Sequence, residues 1–137
     1  MSITGAYKTV HDTLSQQLIK SDLTFPQYRV IRNLGKFGAM PMNKLSEYML
    51  VTPPNITHLI DRLEGRGYIE REESGTDRRI TIMRLTRKGE TAYQQESVQH
   101  RKLVSRIMRV LSESERVNLT RLLEKIKETA IEERARL

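Results

Sequence analysis

The sequence contains no cysteine, so disulfide bonds, thiolate metal sites and thiol-based redox sensing are excluded. It also lacks any hydrophobic run approaching the ~20 residues that a membrane-spanning helix needs. Its first residues, MSITGAYKTVHD, lack the basic segment and hydrophobic core of a secretory signal. We therefore expect a cytoplasmic protein that does not enter a membrane.

The sequence motifs that carry enzyme chemistry are lacking as well. No Ser-His-Asp arrangement, metal-ligand spacing or phosphate-binding glycine loop is recognisable. The three histidines, His11, His58 and His100, lie far apart and have no motif around them. These absences predict a protein that is not an enzyme and uses neither a metal nor a cofactor.

Positive charge is plentiful: 24 Lys and Arg stand against 17 Asp and Glu, a net charge of +7. Such a chain attracts polyanions such as nucleic acids. A high isoelectric point can also serve solubility alone, and composition does not distinguish nucleic-acid binding from solubility. The length of 137 residues fits one compact domain. Apolar residues make up 37% and charged residues 30%, as expected if a second copy of the chain covers some apolar surface.

Apolar residues recur at spacings of three and four, which predicts a mainly helical chain. The first such helix covers residues 5–20. The second begins at Thr24, which forms a capping box with Gln27, and is expected to end at Gly35 and Gly38. The apolar stripes of these two helices are Ala6, Tyr7, Val10, Leu14 and Leu18, and then Tyr28, Val30, Ile31 and Leu34.

Residues 43–65 have the pattern of a helix-turn-helix. Asn43 is expected to cap a short helix, residues 50 and 51 to form the turn, and Thr52 to open the second helix, with Pro53 at its first helical position. The residues expected to face inward are Leu45, Tyr48 and Met49 on the first helix and Ile56, Leu59, Ile60 and Leu63 on the second, which Gly65 and Gly67 then stop.

The second of these helices has the features of a helix that reads the major groove of DNA. Its start carries polar side chains that can bond base edges, and its apolar stripe fixes its direction. Asn55, Thr57 and His58 are predicted to face bases. Pro54 is predicted to make apolar contact, and Arg62 to reach a phosphate or a base at the groove edge. Ordinary polar surface near a helix start is the alternative. Contacts with the DNA backbone are predicted for Asn43, Lys44 and Thr52.

Two extended runs, YIERE at 68–72 and RITIMRL at 79–85, flank the turn-prone ESGTDR and predict a β-hairpin. Asp77, Arg78 and Arg79 lie beside its turn. There an arginine can enter a narrow minor groove, and Asp77 can hold one guanidinium group in position. The alternative is a solvated charge cluster with a weak surface ion pair.

Two helices are predicted to follow the hairpin. Thr86 caps the first, and Ser112 with Glu115 forms a capping box for the second. Their apolar residues are Leu103, Val104, Ile107, Met108 and Leu111, and then Val117, Leu119, Leu122, Leu123, Ile126 and Ala130.

Residues 45–72 and 77–90 resemble the MarR family of winged-helix regulators, and the similarity extends over nearly the whole chain. The most specific element is the wing pattern D-x-R, an apolar strand and L-T-x-x-G, which is matched by Asp77, Arg79, Leu85, Thr86 and Gly89. The run L-x-x-R-G-Y-I-E-R from Leu63 to Arg71 adds to the match.

The resemblance implies a mainly α fold with a small β-hairpin wing, in which one domain, 1–137, forms an intertwined helical homodimer. Residues 23–90 would form the winged helix-turn-helix lobe, and residues 1–22 and 91–137 the dimerisation helices. The helix at 53–64 would read the major groove. Arg79 would enter the minor groove with Asp77 orienting it, and Arg78 would contact the backbone or share that role.

The resemblance further implies a repressor that binds pseudo-palindromic operators in double-stranded DNA. Many such proteins are released by small aromatic acids or phenolic compounds bound between the lobe and the dimer helices. Near that crevice, the candidate effector contacts are Tyr7, His11, Tyr28, Arg29 and Tyr93, each of which packing or surface exposure would also explain. The alternatives are an activator of the same fold, a winged-helix protein that binds nucleic acid without sequence preference, and a winged-helix module for protein contacts, which would need no positive wing or polar recognition face.

Overall fold

The computed structural model describes residues 2–49 and 53–137. The chain divides into two compact units, residues 1–101 and residues 102–137. The predicted lobe at 23–90 lies within the first unit, and its separation from flanking dimerisation helices stays a prediction. In the described part of the chain, no helix has the combined length and apolar character needed to cross a membrane.

The fold is mainly helical with a small antiparallel sheet, as predicted. The helices are α1 (Ile3–Gln17), α2 (Phe25–Phe37), α3 (Met42–Met49), α4 (Pro53–Gly65), α5 (Arg87–Ile107) and α6 (Glu113–Arg136), with short 3-10 turns at Ile19–Ser21 and Met108–Val110. The strands are β1 (Met40–Pro41), β2 (Ile69–Glu73) and β3 (Thr81–Leu85), in the order β1-β3-β2. Strand β1 was not predicted, because two residues show no alternating pattern.

The predicted helix caps are confirmed where local sequence defines them. Thr24 and Gln27 form a capping box at the start of α2, and Ser112 and Glu115 form another at the start of α6. At the start of α5, the amide of Gly89 donates to the hydroxyl of Thr86 at 3.1 Å. Each cap satisfies backbone groups that a helix end leaves without partners.

Four local predictions were wrong. Strand β3 begins at Thr81, so Arg79 and Ile80, which were predicted to open it, lie in the loop between β2 and β3. Gly35 lies inside α2, which ends only at Gly38, where φ is +84°. Helix α3 begins at Met42, so Asn43 lies in its first turn and does not cap it. Tyr48 faces solvent with 44% of its surface exposed, and its ring stacks on Phe37 at 4.8 Å. The predicted turn at 50 and 51 and the cap at Thr52 lie outside the described residues.

A single core lies where α2, α3 and α4 meet the sheet. The α4 stripe behaves as predicted, since Ile56, Ile60 and Leu63 are fully buried and Leu59 is partly buried. Each such side chain stabilises the fold by about 1.5–3 kcal/mol. The other buried apolar residues of this cluster are Leu18, Leu23, Tyr28, Val30, Ile31, Leu34, Met40, Leu45, Met49, Tyr68, Ile69, Met83 and Leu85. Because one stripe of α4 is fixed on this core, its opposite face is fixed toward solvent.

Helices α1 and α6 leave apolar side chains exposed. In the first unit, α1 buries only Leu14 of its own residues, while Tyr7 is 66% exposed. In the second unit, α6 buries none of its residues. The exposed large apolar residues of the two helices are Ile3, Tyr7 and Val10, and then Val117, Leu122, Leu123, Ile126 and Ile131.

Candidate nucleic-acid interface

The outward face of α4 carries the side chains that were predicted to read DNA. Pro54, Asn55, His58 and Arg62 are all exposed. Thr57 is exposed as well, but its hydroxyl lies 3.6 Å from the sulfur of Met42, which turns it toward the start of α3. The structure therefore presents a polar helix face backed by a buried stripe, the arrangement that docking in the major groove requires.

Two of the three predicted backbone contacts can be located. Asn43 and Lys44 are exposed in the first turn of α3, and Thr52 lies outside the described residues. Exposed polar and basic groups of this kind position a protein on DNA by contacting phosphate oxygens without reading sequence. The surface around α3 and α4 can therefore carry both positioning and reading contacts.

The loop of the hairpin holds one arginine in a defined geometry. Arg79 donates from Nε to Oδ1 of Asp77 at 3.1 Å and from Nη2 to Oδ2 at 3.0 Å, and its backbone amide also donates to Oδ1 at 3.0 Å. These bonds lower the pKa of the Asp77 carboxyl below its ordinary value, first through the side chain and then through the backbone. Yet 90% of the Arg79 side chain remains exposed, and Arg78 is exposed beside it. Two parallel bonds fix the plane of a guanidinium group more firmly than one bond does.

Two further arginines, for which the sequence analysis predicted no partner, pair with acids around the hairpin. Arg84 lies 2.8 Å from Glu70 and 3.4 Å from Glu72, so this ion pair stays within the hairpin. Arg71 pairs instead with Asp61 on α4. The signal for the Arg84 pair was available, because Glu70 and Arg84 are direct partners in the β2–β3 register.

A cavity of about 200 Å³ lies between α2 and the middle of α5, within the first unit. Of the predicted effector contacts, Tyr28 and Tyr93 line it. Tyr7 and His11 lie elsewhere with their rings 5.6 Å apart, and Arg29 donates to the carbonyl of Met49 at 3.2 Å. The complete lining is Tyr28, Arg32, Lys36, Tyr93, Ser97, His100 and Arg101.

Helical spacing could have identified the lining residues that were missed. On α2, Arg32 and Lys36 follow Tyr28 at intervals of four, and on α5 Ser97 and Arg101 follow Tyr93 at the same interval. These positions share one face of each helix, but only the pairing of the two helices shows that the faces meet.

The wall of this cavity is polar and positively charged. The hydroxyl of Tyr28 is buried and has no hydrogen-bond partner among the described residues. Burial is the main reason that its pKa rises to about 12, so the hydroxyl keeps its proton and can donate. Burial, and then the charge of Arg32, lower the pKa of His100. Lys36 and Arg101 add positive charge, so the cavity favours an anion with a hydrogen-bond acceptor.

Comparison with known proteins agrees with this geometry. The model of the MarR family matches residues 23–81. The HTH-type transcriptional regulator MhqR of Bacillus subtilis is 27% identical over 124 residues, which cover 90% of this chain and 86% of the relative.

Solved structures extend the comparison to the fold. A putative MarR-like transcription regulator from Bacillus cereus is 31% identical, with a TM-score of 0.78 and coverage of 93% of this chain and 91% of the other. The structure of NadR in complex with 4-hydroxyphenylacetate has a TM-score of 0.79 at 24% identity, covering 90% of this chain and 88% of NadR.

The matched family segment spans the whole of α2, the helix-turn-helix and the hairpin loop with Arg79. The Bacillus cereus relative extends the similarity over nearly the full length of both chains. The exposed face of α4 and the arginine-bearing hairpin are thus the winged helix-turn-helix of a DNA-binding transcriptional regulator, and the chain belongs to the MarR family.

Proposed function

We propose that this regulator is a homodimeric repressor of pseudo-palindromic operators, in which α4 reads the major groove and the hairpin loop enters the minor groove. The observation that carries the proposal is the Asp77–Arg79 pair, which holds an exposed guanidinium group ready for a narrow groove. A guanidinium group that is already oriented loses less conformational entropy on binding than a free arginine does.

Exposed apolar surface supports the homodimer. Helices α1 and α6 carry at least eight large apolar side chains that face solvent in the single chain. Exposed apolar surface on a helix is stabilised by burial against a partner. A second copy of the same helices supplies a matching surface, and two-fold symmetry would then space two α4 helices by about one turn of DNA, ~34 Å.

A direct test is fluorescence anisotropy with a duplex from the gene's own upstream region and a shuffled duplex of equal length, at several salt concentrations. A specific regulator is expected to bind the upstream duplex at least ~10³-fold more tightly. R79A should remove most of that preference, while E90Q, on an exposed residue of α5, serves as the control. Equal binding of both duplexes by the parent protein would contradict operator recognition and favour the alternative of nonspecific binding.

We further propose that a small aromatic acid occupies the cavity between α2 and α5. Its carboxylate would lie near Arg32 and Arg101, and an acceptor oxygen of the ligand would accept a hydrogen bond from the Tyr28 hydroxyl. The NadR complex supports this ligand class, because 4-hydroxyphenylacetate combines an aromatic ring with a carboxylate. Occupation of the cavity would release DNA by altering the distance between the α4 helices of the two protomers.

Calorimetric titration with 4-hydroxyphenylacetate tests the ligand proposal. Y28F is expected to weaken binding about tenfold, the cost of one hydrogen bond to a charged or polar group. Its folded stability should be unchanged or higher, because the Tyr28 hydroxyl has no partner to lose among the described residues. The uncharged amide of the same compound is the control ligand. Equal affinity for acid and amide would contradict an anion site.

A further inference from the structure

Arg71 joins the wing to the helix that faces DNA. It lies on β2, and its guanidinium group pairs with Asp61 through Nη2 and lies 3.5 Å from Glu64 through Nε, both acids being on α4. The two acids are one turn apart, so they present their carboxylates on the same side of the helix. One fork-shaped side chain therefore contacts two successive turns of α4.

This contact starts from a part of β2 whose side chains point away from the core. Ile69 is the only buried residue of β2, and the side chains from Glu70 to Glu73 are exposed. Pairing with β3 holds β2 in the sheet, but the Arg84 ion pairs stay within the hairpin. Among the described residues, the side-chain ion pairs between α4 and the hairpin all come from Arg71.

The position of Asp61 is unfavourable for DNA binding if its charge is considered alone. It lies one turn beyond His58 on the outer side of α4, where a carboxylate repels phosphate. Pairing with Arg71 offsets that charge and joins α4 to β2 through a side-chain contact.

We propose that Arg71 is a positioning residue for DNA recognition: through Asp61 and Glu64 it aligns the reading helix with the wing, so that both enter their grooves together. The inference rests on the proposed function of α4 and the hairpin. Arg71 acts through the two acids and is not required to touch DNA. The competing role is a phosphate contact by Arg71 itself.

The two roles predict opposite changes in DNA affinity when the negative charge of Asp61 is removed. If Arg71 only contacts phosphate, D61N removes a repulsive charge and tightens binding to every duplex. If Arg71 positions α4, D61N weakens binding to the specific duplex by about tenfold, counting both protomers of the dimer. Binding to the shuffled duplex stays equal or tightens. R71Q should weaken specific binding similarly, and the double variant should be no worse than either single variant.

The experiment measures the dissociation constants of the parent, D61N, R71Q and the double variant for the upstream and shuffled duplexes. R84Q is the matched control, since it removes the same charge from the neighbouring strand without touching α4. R71K keeps the charge but not the fork, so it is expected to recover only part of the specific affinity. Thermal unfolding of each variant shows whether the fold is retained.

Three results would overturn the inference. D61N could bind the specific duplex more tightly than the parent does, or the double variant could lose as much affinity as the two single variants together. R71Q and R84Q could also lose the same amount of specific affinity. These differ from failure of the proposed function, in which the parent protein itself does not distinguish the two duplexes. If R71Q does not fold, D61N alone distinguishes the two roles. Its affinity for the specific duplex is expected to fall if Arg71 positions α4 and to rise if Arg71 only contacts phosphate.

Discussion

Gly35 on α2 lies directly against the ring of Tyr93 on α5. A Cβ atom built at Gly35 would stand 2.3 Å from Cγ of Tyr93, well inside van der Waals contact. Tyr93 also lines the cavity between the two helices. The missing side chain at position 35 therefore sets both the approach of α2 to α5 and one wall of the proposed effector site.

Replacing this glycine is expected to destabilise the protein. G35A forces the Tyr93 ring to move, which costs about 1–3 kcal/mol by overpacking, partly offset by the gain of about 1 kcal/mol in helix propensity. Urea denaturation measures the balance. G5A in α1 is the matched control: nothing lies within 4 Å of its new methyl group, so it should only stabilise. Equal stability of the two variants would show that Tyr93 moves without cost.

The Asp77–Arg79 pair predicts an unusual titration. Hydrogen bonds from Arg79 lower the pKa of the Asp77 carboxyl, so the pair stabilises the fold above the unfolded pKa and is lost as the pH falls through the lower folded value. The carboxyl carbon resonance of Asp77, followed by NMR from pH 7 to 2, should titrate with a midpoint below the ordinary pKa of an aspartate. In R79A the midpoint should rise toward the ordinary value. An unchanged midpoint would mean that Arg79 does not hold the carboxylate in solution.

His58 and Lys44 should affect DNA binding in different ways. H58A on α4 is expected to change the preference among operator variants more than the overall affinity, because a base contact specifies sequence. K44A on α3 should weaken binding to all variants alike and reduce the salt slope by about one per head. Anisotropy titrations on a panel of single-base operator variants measure both effects. An unchanged base preference in H58A would remove His58 from the reading residues.

His100 should make the folded protein less stable in acid. Burial and the charge of Arg32 lower its pKa, so the folded state resists protonation and stability falls as the pH drops below the ordinary histidine value of 6.5. Denaturation at pH 7.5 and 5.5 measures the free energy of unfolding at each pH. Its decrease at the lower pH should be smaller for H100Q than for the parent. Equal losses would place the acid sensitivity elsewhere.

An anionic ligand should reverse this effect. A carboxylate in the cavity favours the protonated imidazole, so binding takes up a proton and tightens as the pH falls toward 6. Titration of the parent and H100Q with 4-hydroxyphenylacetate at pH 7.5 and 6.0 measures the linkage. The pH dependence should be weaker in H100Q, and identical dependence in both would mean that the ligand does not face His100.

Short-range sequence pattern was sufficient to predict many of the helices, helix caps and strands of this protein. The stripe of α4, the capping boxes at Thr24 and Ser112 and the hairpin all follow from residues within about one turn or one strand of each other. Such features depend on local periodicity and local hydrogen bonds, which do not change with the rest of the fold. The wing motif places Asp77 two residues from Arg79, so their pairing was also predictable.

Tertiary structure decided the remaining features, because they depend on which faces meet. Gly35 suggests a helix end in sequence, yet it lies inside α2, where its missing side chain admits Tyr93. Tyr48 fits an inward stripe but stacks on Phe37 at the surface. The charged cavity and the Arg71–Asp61 pair each join residues from separate elements. Local pattern fixes the face on which a side chain lies, whereas only packing of distant segments determines what that face contacts.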